Sequence, residues 1–148
     1  MAISVYYYGK IKQKYLLEGL NEYKEKIGHF VPIDLREIKD NPKYLSREQK
    51  LIKLPIDQKI VSKAFFIALH ERGKSFDSHQ FADYIQNIHK DVIFLIGPPA
   101  GIDTRILKDF QISLSLSNMT LNHEHVLLIL FEQLYRAYTI LKNIPYHK

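Results

Sequence analysis

Apolar and polar positions along this chain change their spacing several times, and each change marks an element. Ile3–Tyr8 ("ISVYYY") is rich in β-branched and aromatic residues and stops at Gly9, which predicts a strand. From Gln13 to Ile27 the apolar residues Leu16, Leu17, Leu20, Tyr23 and Ile27 return at steps of three and four, the stripe of an amphipathic helix. "FVPIDLREI" then alternates Val31, Ile33 and Leu35 against Pro32, Asp34 and Arg36, which predicts a half-exposed strand. Pro32 has no N–H to give a neighbour, so this strand is expected at a sheet edge. Ser46 and Gln49 form a capping-box pattern that opens a charged helix, and Pro55 interrupts it.

In the second half the strands become continuously apolar. "AFFIAL" (Ala64 to Leu69) reads as a buried strand, "HERGKS" as a basic loop, and about Ser78 to Ile88 as a helix. "VIFLI" (Val92 to Ile96) is a second buried strand ending in "GPPAG". A short helix is expected from about Asp103 to Asp109, an alternating strand over Ile112 to Leu116, and a final helix from about Asn122 to Leu141. Strands alternating with helices predict an α/β domain with a mostly parallel sheet, whose inner strands are covered on both faces. No repeat or low-complexity linker divides the chain, so residues 1–148 are read as a single domain. Val126 to Phe131 is apolar without a break, wider than one core-facing stripe. Such a helix is either threaded deep in its own domain or also covered by a second subunit, to which Tyr135 and Tyr138 offer aromatic surface.

Composition narrows the class of protein. A hydrophobic fraction of 46% and a charged fraction of 25% are those of a soluble globular chain. The absence of cysteine rules out disulfides and thiolate metal sites, which suits a reducing cytoplasm. There is no leader pattern and no apolar run of about 18 residues, so neither secretion nor membrane spanning is expected. A net charge of +5 and a pI near 9.3 favour polyanionic partners such as RNA, although a solvated basic surface has the same composition.

Ligands of parallel α/β sheets bind at the carboxyl ends of the strands. Three segments occupy that place: "HERGK" after Leu69, "GPPAG" after Ile96 and "SNMTLNH" after Leu116. The polar residues of the last either line a site or, as Ser117 and Thr120 could, cap the final helix. A phosphate cradle is not supported, because neither GxGxxG nor GxxxxGK[ST] occurs and Pro98 and Pro99 lack backbone N–H groups. His123 and His125 are two positions apart and do not share a helix face, so no metal site is expected. No GxSxG elbow is present. Glu132 and Arg136, four apart, are placed to pair.

With these pieces in place, the chain resembles the RlmH family of SPOUT-class methyltransferases, small bacterial enzymes that methylate N3 of a pseudouridine in 23S ribosomal RNA. The likeness runs nearly end to end through "YYYGKIKQKYLLEGLNEYKEKI", "FIALHERGKSFDSHQFADYI", "VIFLIGPPAG", "SLSLSNMT", "FEQLYRAY" and the terminal "PYHK". It implies a single α/β domain with a C-terminal trefoil knot, a homodimer, and S-adenosyl-L-methionine as cofactor. It also implies 23S rRNA or the assembled ribosome as partner, with no metal and no membrane. Carried over by position, the cofactor contacts are Leu69, Gly97, Leu116, Ser117, Asn118, Met119, Thr120 and Leu121. The substrate-side catalytic groups implied are His147, His123, Tyr146 and Arg136, with His147 or His123 expected to handle protons. Lys10, Lys12, Arg72, Lys74, Lys142 and Lys148 are candidates for phosphate contacts. The chain departs from the family pattern at four places. Pro98 replaces a second glycine, Asn122 a proline, Leu127 an arginine, and His70 an aspartate. These departures keep an alternative open, a noncatalytic RNA- or ribosome-binding module with the same fold.

Overall fold

β1 (Ile3–Tyr8), β2 (Ile33–Ile38), β3 (Phe65–Ser75), β4 (Val92–Ile96) and β5 (Ile112–Ser115) pair into one sheet in the order β2-β1-β4-β3-β5. All pairings are parallel. The structure is a computed structural model that describes residues 1–39, 56–98 and 110–148. The helices expected around Ser46 and over Asp103 to Asp109 lie outside the described residues. β2 is an edge strand, as Pro32 predicts, and the Pro32 carbonyl accepts from the Ile3 N–H at 2.8 Å to start the β1–β2 ladder.

The period of two in the strands sorts their side chains onto two faces. One face carries Ile3, Val5 and Tyr7 of β1, Val92, Phe94 and Ile96 of β4, and Leu114 of β5. On it pack the apolar stripes of α1 (Lys14–Gly28), α3 (Ser78–Gln86) and α4 (His123–Leu141). The other face carries Tyr8, Phe66, Ala68, Ile93 and Leu95, covered in part by Ile56, which precedes the short α2 (Gln58–Val61), and by Phe110. β4 is therefore buried on both sides throughout, which is why its sequence has no polar alternation.

α4 lies between α1 and α3. Leu127, Leu130, Phe131 and Leu134 are fully enclosed, and Gly19 of α1 lets the Leu128 side chain approach to 3.0 Å from where a Cβ would stand. The chain itself thus encloses Leu127, Leu130 and Phe131 of the unbroken apolar run, while Val126, Leu128 and Ile129 stay partly exposed. Asn122 caps this helix, its Oδ1 accepting from the Glu124 N–H at 3.0 Å. Ser117 and Thr120 do not cap it. α3 opens with a full capping box between Asp77 and Gln80.

The "HERGKS" stretch is not the loop its charges suggested. β3 continues through it to Ser75, and β5 pairs with β3 twice, Leu114 standing opposite Leu69 and again opposite Lys74. Residues 70–73 bulge out between the two registers. Gly73 permits this, because a Cβ there would lie 2.6 Å from the Ser113 carbonyl carbon and oxygen. A glycine between charged residues looks like a turn; here it is a backbone crossing. Among the described residues no helix is long and apolar enough to cross a membrane.

Candidate active site

Because the strands are parallel, β3, β4 and β5 end side by side, and the segment leaving each borders one cavity of about 290 Å³. β3 supplies Leu69, His70 and Glu71; β4 supplies Ile96, Gly97 and Pro98. The segment at the end of β5 supplies Leu114 to Ser117, Met119, Thr120 and Leu121, and the start of α4 adds His123 and Val126. The three carboxyl-end segments therefore converge. Of the residues expected there, Leu69, Gly97, Leu116, Ser117, Met119, Thr120 and Leu121 border the cavity, while Asn118 does not line it.

The polarity of Ser115 to Thr120 is spent largely on shaping its own backbone. Ser115 Oγ donates to the Ser117 carbonyl and Ser117 Oγ accepts from the Met119 N–H, each at 2.9 Å. Thr120 Oγ1 donates to Glu71 Oε2 at 3.5 Å, linking this segment to the bulge of β3. No lysine or arginine is among the described lining residues, and Glu71 is their one carboxylate. A cavity walled by aliphatic side chains and one anion suits a ligand without phosphate that carries positive charge.

His123 stacks on Tyr7 at the end of β1, with ring centroids 5.8 Å apart and planes 6° from parallel. The Tyr7 hydroxyl is buried and has no hydrogen-bond partner among the described residues. Burial, with Glu124 and Glu37 adding to it, pushes its pKa up to about 12. His125 turns away, meeting Tyr15 Oη at 3.1 Å and Asn122 Oδ1 at 3.4 Å. The two histidines serve different neighbours, and among the described residues no three metal-ligating side chains gather.

Arg136, Tyr146 and His147 form a second cluster, with Glu132 at its centre. Arg136 donates to Glu132 Oε1 through Nε at 3.0 Å and Nη2 at 2.6 Å. Tyr146 donates to the same oxygen at 3.0 Å. Burial first, then hydrogen bonds with Tyr23 and Glu132, raise the Tyr146 pKa well above the usual phenol range. The bond to Glu132 is the main cause that raises Arg136 as well. Arg136 Nη1 also lies 3.0 Å from His147 Nδ1, and the His147 ring meets His79 edge-on at 4.8 Å. This cluster flanks a second cavity of about 440 Å³, whose lining includes Asp77, Ser78 and His79 at the start of α3, Gln133 and His147.

Leu114, Ser115 and Leu116 line both cavities, which therefore adjoin along the end of β5. The substrate-side residues expected from the sequence are thus split: His123 borders the first cavity, while Arg136, Tyr146 and His147 gather beside the second. Sequence reasoning paired Glu132 with Arg136 and missed that Glu132 also holds Tyr146. It missed His79 and Gln133 altogether. The i,i+4 spacing on α4 was the available signal for Glu132; nothing local pointed to His79. Lys10 and Lys12 follow Gly9, whose φ of +99° turns the chain at the end of β1. With Arg72 and Lys74 they stand exposed at the edge of the sheet that carries the first cavity. Lys142 and Lys148 flank the tail.

Residues 1–147 match the family model described as "Predicted SPOUT methyltransferase". The chain belongs to the SPOUT methyltransferase family. Within it, ribosomal RNA large subunit methyltransferase H of Parabacteroides distasonis is 36% identical, the match covering 99% of each chain. The protein of the same name from Streptococcus suis is 36% identical over 100% of both chains. A crystal structure from Bacillus anthracis, described as an RNA methyltransferase, has the same fold. It aligns with a TM-score of 0.50 over 97% of this chain and 96% of its own, at 16% identity.

Proposed function

We propose that the protein is an S-adenosyl-L-methionine-dependent methyltransferase that methylates N3 of a pseudouridine in 23S ribosomal RNA. The observation that carries this reading is the convergence of three strand-end segments on one cavity with no lysine or arginine among its described lining residues, in a chain that matches large-subunit rRNA methyltransferases end to end.

The residues present fit the cofactor. The cavity volume is near the lower end of the ~300–1,000 Å³ usual for small-molecule sites, and its aliphatic walls and Glu71 suit a ligand that is apolar in part and cationic in part. When bound, S-adenosyl-L-methionine supplies an electrophilic methyl group on a sulfonium. Leu69, Gly97, Leu116, Ser117, Met119, Thr120 and Leu121 would hold it, chiefly through backbone groups and aliphatic contact, with Asn118 behind them in the same segment. His123, Arg136, Tyr146 and His147 face the RNA. They orient the target ring and accommodate the charge left when N3 loses its proton, since transfer to a positioned nitrogen depends mainly on alignment.

The chain acts as one domain over residues 1–148, in the cytoplasm, on 23S rRNA or the assembled ribosome. The segment after β5 threads the loop made by the distal half of β3, forming a trefoil knot. The crossing of Gly73 over Ser113 and the Thr120–Glu71 contact support this path. A homodimer completes the site, a second copy bringing its tail to the cofactor cavity: within one chain His123 borders the first cavity and His147 the adjoining second one.

Bacterial ribosomes lacking the modification, incubated with the protein and methyl-labelled cofactor, should acquire label at one pseudouridine of 23S rRNA. Cofactor binding in a calorimeter without any label in rRNA would overturn the reading in favour of a noncatalytic ribosome-binding module.

A further inference from the structure

The hydrogen bond between Arg136 and His147 constrains the chemistry of the histidine. A guanidinium has only donors, so at 3.0 Å from Arg136 Nη1 the Nδ1 of His147 must be the acceptor and carry no proton. The proton of the neutral ring then sits on Nε2. Arg136 is not free to turn away, because Nε and Nη2 are both engaged by Glu132. Glu132 is itself held, since Oε1 also accepts from Tyr146 and Oε2 accepts from Gln133 Nε2 at 2.9 Å. Every bond in this chain of contacts points the same way, toward a bare Nδ1.

Other groups around His147 do not reverse this. On α4 they are Arg136 and Glu132, with the carboxylate already engaged by the guanidinium. From α3 come His79, whose ring meets His147 edge-on, and Asp77 across the cavity. No hydrogen bond joins Nε2 to any described residue, and the ring lines the second cavity.

Resting on the methyltransferase reading above, we propose that Arg136 fixes His147 as the Nε2–H tautomer, so that His147 acts as a hydrogen-bond donor to a carbonyl oxygen of the target ring and not as the base that removes the N3 proton. Loss of the N3 proton leaves negative charge shared between N3 and the flanking carbonyl oxygens. The proton passes to water, and the Nε2 proton stays on His147, where its bond to the oxygen strengthens as charge develops. Arg136 is the positioning residue, sharpening the donor by drawing electron density through Nδ1.

Two measurements test this. The imidazole ¹⁵N spectrum of the full-length protein near neutral pH should show His147 Nδ1 as a bare nitrogen and Nε2 as proton-bearing. Arg136→Met should turn this into a tautomer mixture while the backbone spectrum stays folded. Finding Nδ1–H in the unsubstituted protein would overturn the proposal. The second measurement is single-turnover methylation of unmodified ribosomes. His147→Gln keeps an N–H donor and supplies no base, whereas His147→Glu supplies a base and no donor. The glutamine variant should stay within about tenfold of the parent, and the glutamate variant should fall by about 10²–10³, the range for a lost transition-state donor. Glutamate outperforming glutamine would overturn the donor role. An inactive parent with the expected tautomer would instead overturn the methyltransferase reading, and with it the carbonyl as the donor's target.

Discussion

Tyr7 carries a hydroxyl into the core with no hydrogen-bond partner among the described residues, its ring stacked on His123. A buried, unpaired hydroxyl costs about 1–3 kcal/mol, so Tyr7→Phe is expected to match or exceed the parent's stability in urea denaturation. Destabilisation by more than 1 kcal/mol would show that the oxygen has a partner. The same burial sets an alkaline limit. Tyr7 and Tyr138 are both pushed from 10.0 to about 12. An unfolded tyrosine gives up its proton near 10 and these two near 12, so between those values the unfolded chain binds fewer protons and stability falls as pH rises. Their contribution is complete below pH 10 and lost through pH 12. Thermal melts across pH 9 to 12, paired with ultraviolet titration of phenolate, should show a plateau and then a drop, shallower in Tyr7→Phe. Leu127 belongs at this scale too. It stands where the family resemblance implies an arginine, and here it is wholly enclosed among α4's core contacts. In this chain the position packs the interior and offers nothing to RNA.

Among the elements, the crossing of β3 and β5 is the most demanding joint. A methyl group at Gly73 would meet the Ser113 carbonyl and the Leu114 carbonyl carbon, all backbone atoms that cannot rotate aside. Gly73→Ala is therefore expected to cost about 1–3 kcal/mol, as overpacked interiors do. It should also weaken cofactor binding measured by calorimetry, because Glu71 lies on β3 and Leu116 directly follows β5, the two strands being pushed apart. Asn122→Ala removes the cap of α4 and should cost about 1 kcal/mol without altering the RNA-side groups. β1 and β4 could be read to the residue because their apolar patterns are local, and Pro32 announced an edge because it lacks a donor. The distal half of β3 could not. Its charged residues imitate a loop, and what makes them a strand is the backbone of β5, far along the chain. The first cavity was legible for a general reason: parallel strands bring their carboxyl ends together. The tail cluster was only half legible, since Glu132 and Arg136 share a helix face but Tyr146 and His79 reach them through tertiary packing.

At the scale of the whole molecule the question is where the net charge of +5 acts. Evenly spread, it would attract RNA anywhere on the surface. Lys10, Lys12, Arg72 and Lys74 stand exposed at the carboxyl edge of the sheet, the edge that carries the cavity. Phosphate contacts made there release counterions, and each contributes about 0.7–0.9 to the slope of log affinity against log salt. Arg72→Gln with Lys74→Gln should therefore lower that slope by roughly 1–2 and weaken binding alike for all rRNA sequences. Lys63 and Lys90 are also exposed, but they precede β3 and β4 and lie at the opposite edge. Lys63→Gln with Lys90→Gln removes the same charge and should leave the slope nearly unchanged. Filter-binding titrations of both double variants between 50 and 200 mM salt, the span over which such contacts are read, separate the two cases. Equal losses would mean that total charge governs association. A loss confined to Arg72 and Lys74 would mean that the RNA docks on the edge where the strands end, over the cavity that holds the methyl donor.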